Sequence, residues 1–233
     1  RPMTGAWILL VDEPGARQVQ SWVGITSALA NQCNNCEAKG RRICSFSMCP
    51  DGDGWVCFGE RPDGTGGHLW TGGLCRGLGD SMLDDEMDEY TLGTNEDGSA
   101  SGVAFNSTTG AWRGYNMDQG IVADLMKNRL KRIRLLHNGQ FWAKVDGSML
   151  WRLHNKHLEQ EIQRLQTQNV LEVAESPETG AWVVIAADTF SCSKNLPRDL
   201  EKDLSNLYGW RKADAEKQRK DAEQYDAVLA RLG

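Results

Sequence analysis

The sequence predicts an α+β protein: an antiparallel β-meander forming a partly closed sheet, with a Cys/Gly-rich segment before it and helices after it. Three observations predict this. Short apolar runs separated by turn residues recur from Gly102 to Ala187, six of the seven cysteines fall between Cys33 and Cys75, and leucines recur at helical spacing after Asn195. The chain has 233 residues, 40% hydrophobic and 25% charged, which is enough for a real core. Mean hydropathy is −0.51, and the longest apolar run, Trp182 to Ala187, is strand-sized. A bilayer-spanning helix needs roughly 20 apolar residues, so none is expected. A net charge of −6 and a pI near 5.3 argue against a general polyanion binder, because such affinity rests on neutralising phosphates.

Taken in order, Trp7 to Val11 reads as a buried strand ended by Glu13-Pro14-Gly15. Val19 to Ala30 places Trp22, Ile25 and Leu29 at spacings of three and four, a helix pattern. Trp55 to Phe58 and His68 to Trp70 are strand-like runs joined by a Gly-rich turn. The chain then turns acidic with Asp84, Asp85, Glu86, Asp88 and Glu89, which suggests a linker. Beyond it lie Val103 to Asn106, Ala111 to Tyr115, Ile133 to Leu136, Phe141 to Val145 and Met149 to Leu153. Asn138-Gly139 and Asp146-Gly147 stand between the last three as hairpin turns. Val170 to Ala174 and Ala181 to Ala187 form a further hairpin, and helices are expected at Ile121 to Lys127 and around His157 to Leu165. The resulting division is a Cys/Gly-rich segment over 1–78, an acidic linker over 79–101, the meander over 102–192 and a helical tail over 193–233.

Thr-Gly-Ala-Trp occurs three times, beginning at Thr4, Thr109 and Thr179. The spacings are unequal, so it reads as a turn-to-strand junction used three times, not as a solenoid or propeller repeat. In the tail, Leu196, Leu200, Leu204 and Leu207 make an apolar stripe. The helix from Lys212 to Leu232 stays polar until Tyr225, Leu229 and Leu232, which marks those three as candidate partner-binding residues.

The cysteines Cys33, Cys36, Cys44, Cys49, Cys57 and Cys75 are the strongest local signal. Three disulfides would staple a segment poor in aliphatic residues, with Cys192 left over. Alternatively, Cys33-x2-Cys36 and Cys44-x4-Cys49 supply four thiolates for zinc, and ordinary reduced cysteines are the third reading. Disulfides would favour a secreted or organelle-lumen protein. The chain begins Arg1-Pro2, as expected of a processed N-terminus or a fragment.

Lys127, Arg129, Lys131, Arg132 and Arg134 form a basic run that could grip phosphate or an acidic partner; in an acidic chain, nucleic acid is not the expected ligand. His154, His157 and Glu161 would share one side of a helix, without a fourth metal ligand. No Gly-x-Ser-x-Gly, phosphate loop or dinucleotide fingerprint is present. Gly110-Ala111-Trp112, or Gly5-Ala6-Trp7, is similar to the Gly-x-Trp that opens the lipocalin barrel, and Trp182 to Ala187 followed by the helix at Leu196 to Tyr208 resembles the lipocalin ending. That resemblance implies a β-barrel that binds a small apolar ligand. The composition and the polar tail point instead to a non-catalytic interaction or structural subunit of a larger assembly, whose partners are other protein subunits. An unfamiliar hydrolase or redox enzyme is the third reading.

Overall fold

The structure, a computed structural model, describes residues 7–11, 18–49, 54–60, 67–72 and 87–209. It is a mixed α+β arrangement, mostly sheet, in which every strand pairing is antiparallel. The first sheet pairs β1 (Trp7–Val11) with β2 (Val19–Val23). Four three-stranded meanders follow. They are β3 (Arg42–Met48), β4 (Trp55–Glu60) and β5 (Gly67–Gly72); β6 (Glu89–Thr94), β7 (Ala100–Phe105) and β8 (Trp112–Tyr115); β9 (Leu130–Leu135), β10 (Phe141–Val145) and β11 (Ser148–Arg152); and β12 (Val170–Glu175), β13 (Trp182–Ala186) and β14 (Phe190–Cys192). The helices are α1 (Ser27–Ala38), α2 (Gln119–Met126) and α3 (Lys156–Leu165), each between two sheets, and α4 (198–209), which follows β14.

The starts of α1, α2 and α3 are specified locally. The Thr26 hydroxyl accepts from the Leu29 amide, Asp118 accepts from Gly120 and Ile121, and Asn155 accepts from His157 and Leu158. These caps fall after β2, β8 and β11 and end the run of strands there. The run from Gly102 to Ala187, expected as one sheet, is therefore divided among three sheets with α2 and α3 between them. None of the sheets closes, so the barrel implied by the lipocalin resemblance is not formed among the described residues.

The first strands of the meanders are adjacent: β3 lies beside β6, β6 beside β9, and β9 beside β12. Side-chain hydroxyls join them. Buried Ser45 accepts from the Tyr90 amide at 2.8 Å and donates to its carbonyl at 3.2 Å, while Ser47 accepts from Leu92 at 2.8 Å. Thr91 accepts from the Leu135 amide at 2.9 Å, and the Thr94 amide donates to the Leu136 carbonyl at 3.1 Å. At Gly93 the two strands are so close that a Cβ would stand 2.5 Å from the Leu136 oxygen.

Five cores fill the spaces between consecutive sheets, and they return on themselves. Leu29, Ile43 and Trp55 pack with Ile8, Leu10 and Trp22 between the first two sheets. Val56, Tyr90 and Leu92 join the second to the third, and Val103, Phe105, Ile133 and Phe141 join the third to the fourth. Trp142, Val173 and Val184 join the fourth to the fifth. Trp7, on the opposite face of β1 from Ile8, packs with Val183, Leu200 and Leu204, which joins the fifth sheet back to the first. The arrangement is a ring of small sheets, a radial repetition of the kind β-propellers use.

The sequence expectations fare unevenly at this level. Val19 to Ala30 is not one helix: alternating Val19–Val23 is strand, Gly24 at φ +71° turns the chain, and the helix begins only after the Thr26 cap. Part of the acidic segment expected as linker, Glu89–Thr94, is the inner strand β6. The repeated tetrapeptide is a turn at both positions where the whole of it is described. Gly110 (φ +78°) donates to the Asn106 carbonyl and Gly180 (φ +62°) to that of Ser176, at 2.9 and 3.0 Å, and the Thr109 and Thr179 hydroxyls each accept from the following alanine amide. The leucine stripe is buried at Leu196, Leu200 and Leu204, but Tyr208, not Leu207, completes it, donating to the Ala186 carbonyl at 2.6 Å.

Candidate functional site

A groove runs along the outer side of the third sheet, lined by Trp112 and Gly114 of β8 and by Val122 and Met126 of α2. Local sequence builds it. In α2, Ile121 and Leu125 point into the core, and Val122 and Met126 form a second i,i+4 pair one position round the helix. The apolar face is thus wider than the core can cover, and Met126 is 74% exposed.

Strand β8 is an edge. It pairs only with β7 among the described strands, in the register Phe105↔Trp112 to Gly102↔Tyr115. The Asn106 amide donates to the Ala111 carbonyl at 2.8 Å, which makes that a hydrogen-bonded pair; alternation then makes pairs of Ala104 with Arg113 and Gly102 with Tyr115. The backbone groups of Trp112 and Gly114 consequently point away from the sheet. The same two residues line the groove, so it offers apolar surface and open backbone polar groups side by side. Basic side chains flank it: Lys127 and Arg129 are exposed, and the Arg129 side chain covers Gly110, where a Cβ would stand 3.0 Å from its Cγ. Below the helix start, Arg152 pairs with Asp118 at 3.3 Å and Asp124 at 3.6 Å. Asp118 is held below the usual carboxylate range by the Ile121 amide and by Arg152.

The predicted basic run does not form one patch. Arg132 and Arg134 turn inward at the meeting of β6, β9 and β12, where Arg134 contacts Glu172 at 2.6 Å and Glu89 at 3.5 Å, and Arg132 contacts Glu89 at 3.3 Å. Lys131 pairs with Asp146 at 3.2 Å. Of the five, Lys127 follows Met126 at the end of α2 and the Arg129 side chain covers Gly110.

The cysteines separate as well. Cys33, Cys36 and Cys57 share the core between α1 and β4. Cys49 is on the opposite side of that sheet with Val56 and Tyr90, Cys44 donates to Glu60 at 3.7 Å, and Cys192 borders the fifth core. Cys33 and Cys49 are thus in different cores, and no group of three or more potential metal ligands is assembled among the described residues. Cys33, Cys36, Cys44, Cys57 and Cys192 are free thiols. Cys75 and the expected partner-binding residues Tyr225, Leu229 and Leu232 lie outside the described residues. His154 and His157 are exposed, and Glu161 pairs with Arg164 at 2.8 Å.

The sequence does not single out the groove, because Trp112 is read there only as the start of a strand after a turn. The available signal was Val122 and Met126 beside Ile121 and Leu125, a stripe too wide for a helix packed on one sheet. Fold and site together define a scaffold of small sheets with an open edge beside an apolar groove. No family model, curated protein or solved structure matches the chain.

Proposed function

We propose that the protein is a non-catalytic interaction subunit that takes an extended segment of another protein along β8. The observation that carries this is the coincidence of the outward backbone groups of Trp112 and Gly114 with the apolar groove they line with Val122 and Met126. An added strand supplies the missing backbone partners, and its alternate side chains enter the groove. Exposed Lys127 and Arg129 favour acidic residues next to the apolar anchor.

The test is fluorescence anisotropy with a labelled peptide alternating Val or Leu with Glu. Wild-type protein binds it in preference to the scrambled peptide, and Met126→Glu weakens binding by about tenfold or more, as loss of a central apolar anchor does. Val23→Glu, at the other exposed large hydrophobic residue among the described residues, leaves binding unchanged. Equal binding of scrambled peptide, or an unaffected Met126→Glu variant, removes the proposal.

A further inference from the structure

We infer that the chain closes its own ring: residues 225–232 supply the inner strand that the first sheet lacks among the described residues. The third, fourth and fifth sheets each run inner strand, middle strand, outer strand and then helix. Counted back from α1 in the same way, β2 is the outer strand of the first sheet and β1 its middle one. The inner strands lie side by side from β3 through β6 and β9 to β12. The first sheet packs against the second through Ile8 and Leu10 and against the fifth through Trp7, so its vacant inner position falls between β12 and β3.

Burial marks the same edge. The other middle strands, β4, β7, β10 and β13, are buried at all but one or two positions. In β1, Ile8, Leu9 and Leu10 are all half-buried, although Ile8 and Leu10 face the core with Leu29 and Leu9 faces the one with Leu200. A sheet uncovered on one face would expose alternate residues. Loss on both faces at once points to an uncovered edge, where backbone N–H and C=O groups also need partners.

The position of α4 selects the occupant. Leu200 and Leu204 of this helix pack with Trp7 of β1, Asp203 accepts from the Ser21 hydroxyl of β2 at 2.7 Å, and Tyr208 donates to the Ala186 carbonyl at 2.6 Å. Ala186 pairs with Val170, the first residue of β12. The chain therefore passes residue 209 beside the start of the inner row, as the ends of α2 and α3 lead into β9 and β12. Residues 210–233 follow and lie outside the described residues. Within 211–224 every residue is polar or alanine, and the large apolar ones beyond are Tyr225, Val228, Leu229 and Leu232. The intervening stretch, extended, reaches roughly 50 Å. That crosses several strands set about 4.8 Å apart. A strand at 225–232 pairs the inner edge of β1 and covers Ile8, Leu9 and Leu10 from both faces.

The test is amide hydrogen exchange of the full chain, compared with the variant Leu229→Glu/Leu232→Glu. In the wild type, residues 225–232 and β1 are protected together; the double variant loses both protections while β10 keeps its own. The thermal midpoint of the variant falls by about 5 °C or more, as expected for losing two buried leucines in a chain of this length. Lys220→Glu, in the polar stretch, leaves the midpoint unchanged. Light scattering gives the mass of one chain, 25.9 kDa, for wild type and variant alike. Free exchange of residues 225–232 in the wild type overturns the inference, and so does β1 protection that survives the double variant. A wild-type mass of two chains that falls to one in the variant assigns the strand to a second copy and overturns closure within the chain. Should the double variant fail to fold, Leu229→Ala removes less and is read by the same exchange in β1.

Discussion

Replacing Arg134 with methionine tests how the inner strands are held. Arg134 sits where β6, β9 and β12 meet, its side chain 17% exposed, between Glu89 at 13% and Glu172 at 27%. Its guanidinium also donates to the Ile133 carbonyl at 2.9 Å. Methionine keeps much of the volume but leaves both carboxylates in a site poor in water. Removing one partner of a buried ion pair costs about 3–5 kcal/mol, because the surviving charge is uncompensated. Here Arg132 remains within 3.3 Å of Glu89 and 3.9 Å of Glu172 and offsets part of that, so we expect about 2–4 kcal/mol. In a chain of this length the thermal midpoint falls by about 5–15 °C. The assay is urea and thermal unfolding followed by tryptophan fluorescence, with Glu89→Gln and Glu172→Gln added to the same variant. Taking away the stranded charges should recover more than half of the loss. A single variant within about 0.5 kcal/mol of wild type, the range of ordinary surface changes, refutes the reasoning, as does a triple variant no better than the single.

Three other outcomes follow from the same packing. Gly93→Ala forces a Cβ to 2.5 Å from the Leu136 oxygen and 2.7 Å from the Leu135 Cβ, and should destabilise by about 1–3 kcal/mol in chemical denaturation. Gly209→Ala, where a Cβ meets nothing within 4 Å, should not. Leu204→Ala empties a fully buried position where the fifth sheet and α4 meet β1, and should cost about 2–5 kcal/mol while raising amide exchange in β1 as well as β13. His137 is held below the ordinary histidine range mainly by burial, helped by His154 and opposed by Glu175. Its unfolded form therefore binds the proton first, so stability is lost as pH falls below about 6.5. His137→Gln should flatten the urea midpoint between neutral and mildly acidic pH relative to wild type.

Most elements were legible in the sequence because their signals are local. Asn138 at φ +51° and Gly139 at φ +66° turn between β9 and β10 as their types foretell, and the apolar runs at Phe141 and Trp182 are buried strands. The grouping of strands into sheets was not legible, since it depends on which strand edges meet. The unit that repeats is three strands and a helix, beginning at Glu89, Leu130 and Val170, spacings of 41 and 40 residues. It escaped notice because the recurring tetrapeptide serves different hairpins, β7 to β8 and β12 to β13. Ser45, Ser47 and Thr91 look like ordinary polar strand residues; their hydroxyls take the place of a ladder between inner strands, which no period reveals. The cysteines misled by sequence proximity. Alternation along β3 and β4 sends Cys57 to one core and Val56, with Cys49, to the other.

The claim that β8 receives a partner strand is tested most directly by amide hydrogen exchange of the full chain with and without the Val/Leu–Glu peptide at saturating concentration. The amides of Trp112 and Gly114 point outward from the sheet and should exchange freely alone, then become protected when the peptide adds a strand, while those of Arg113 and Tyr115 change little. Unchanged exchange at Trp112 and Gly114 with peptide bound elsewhere, or equal protection along all four residues of β8, would contradict the account.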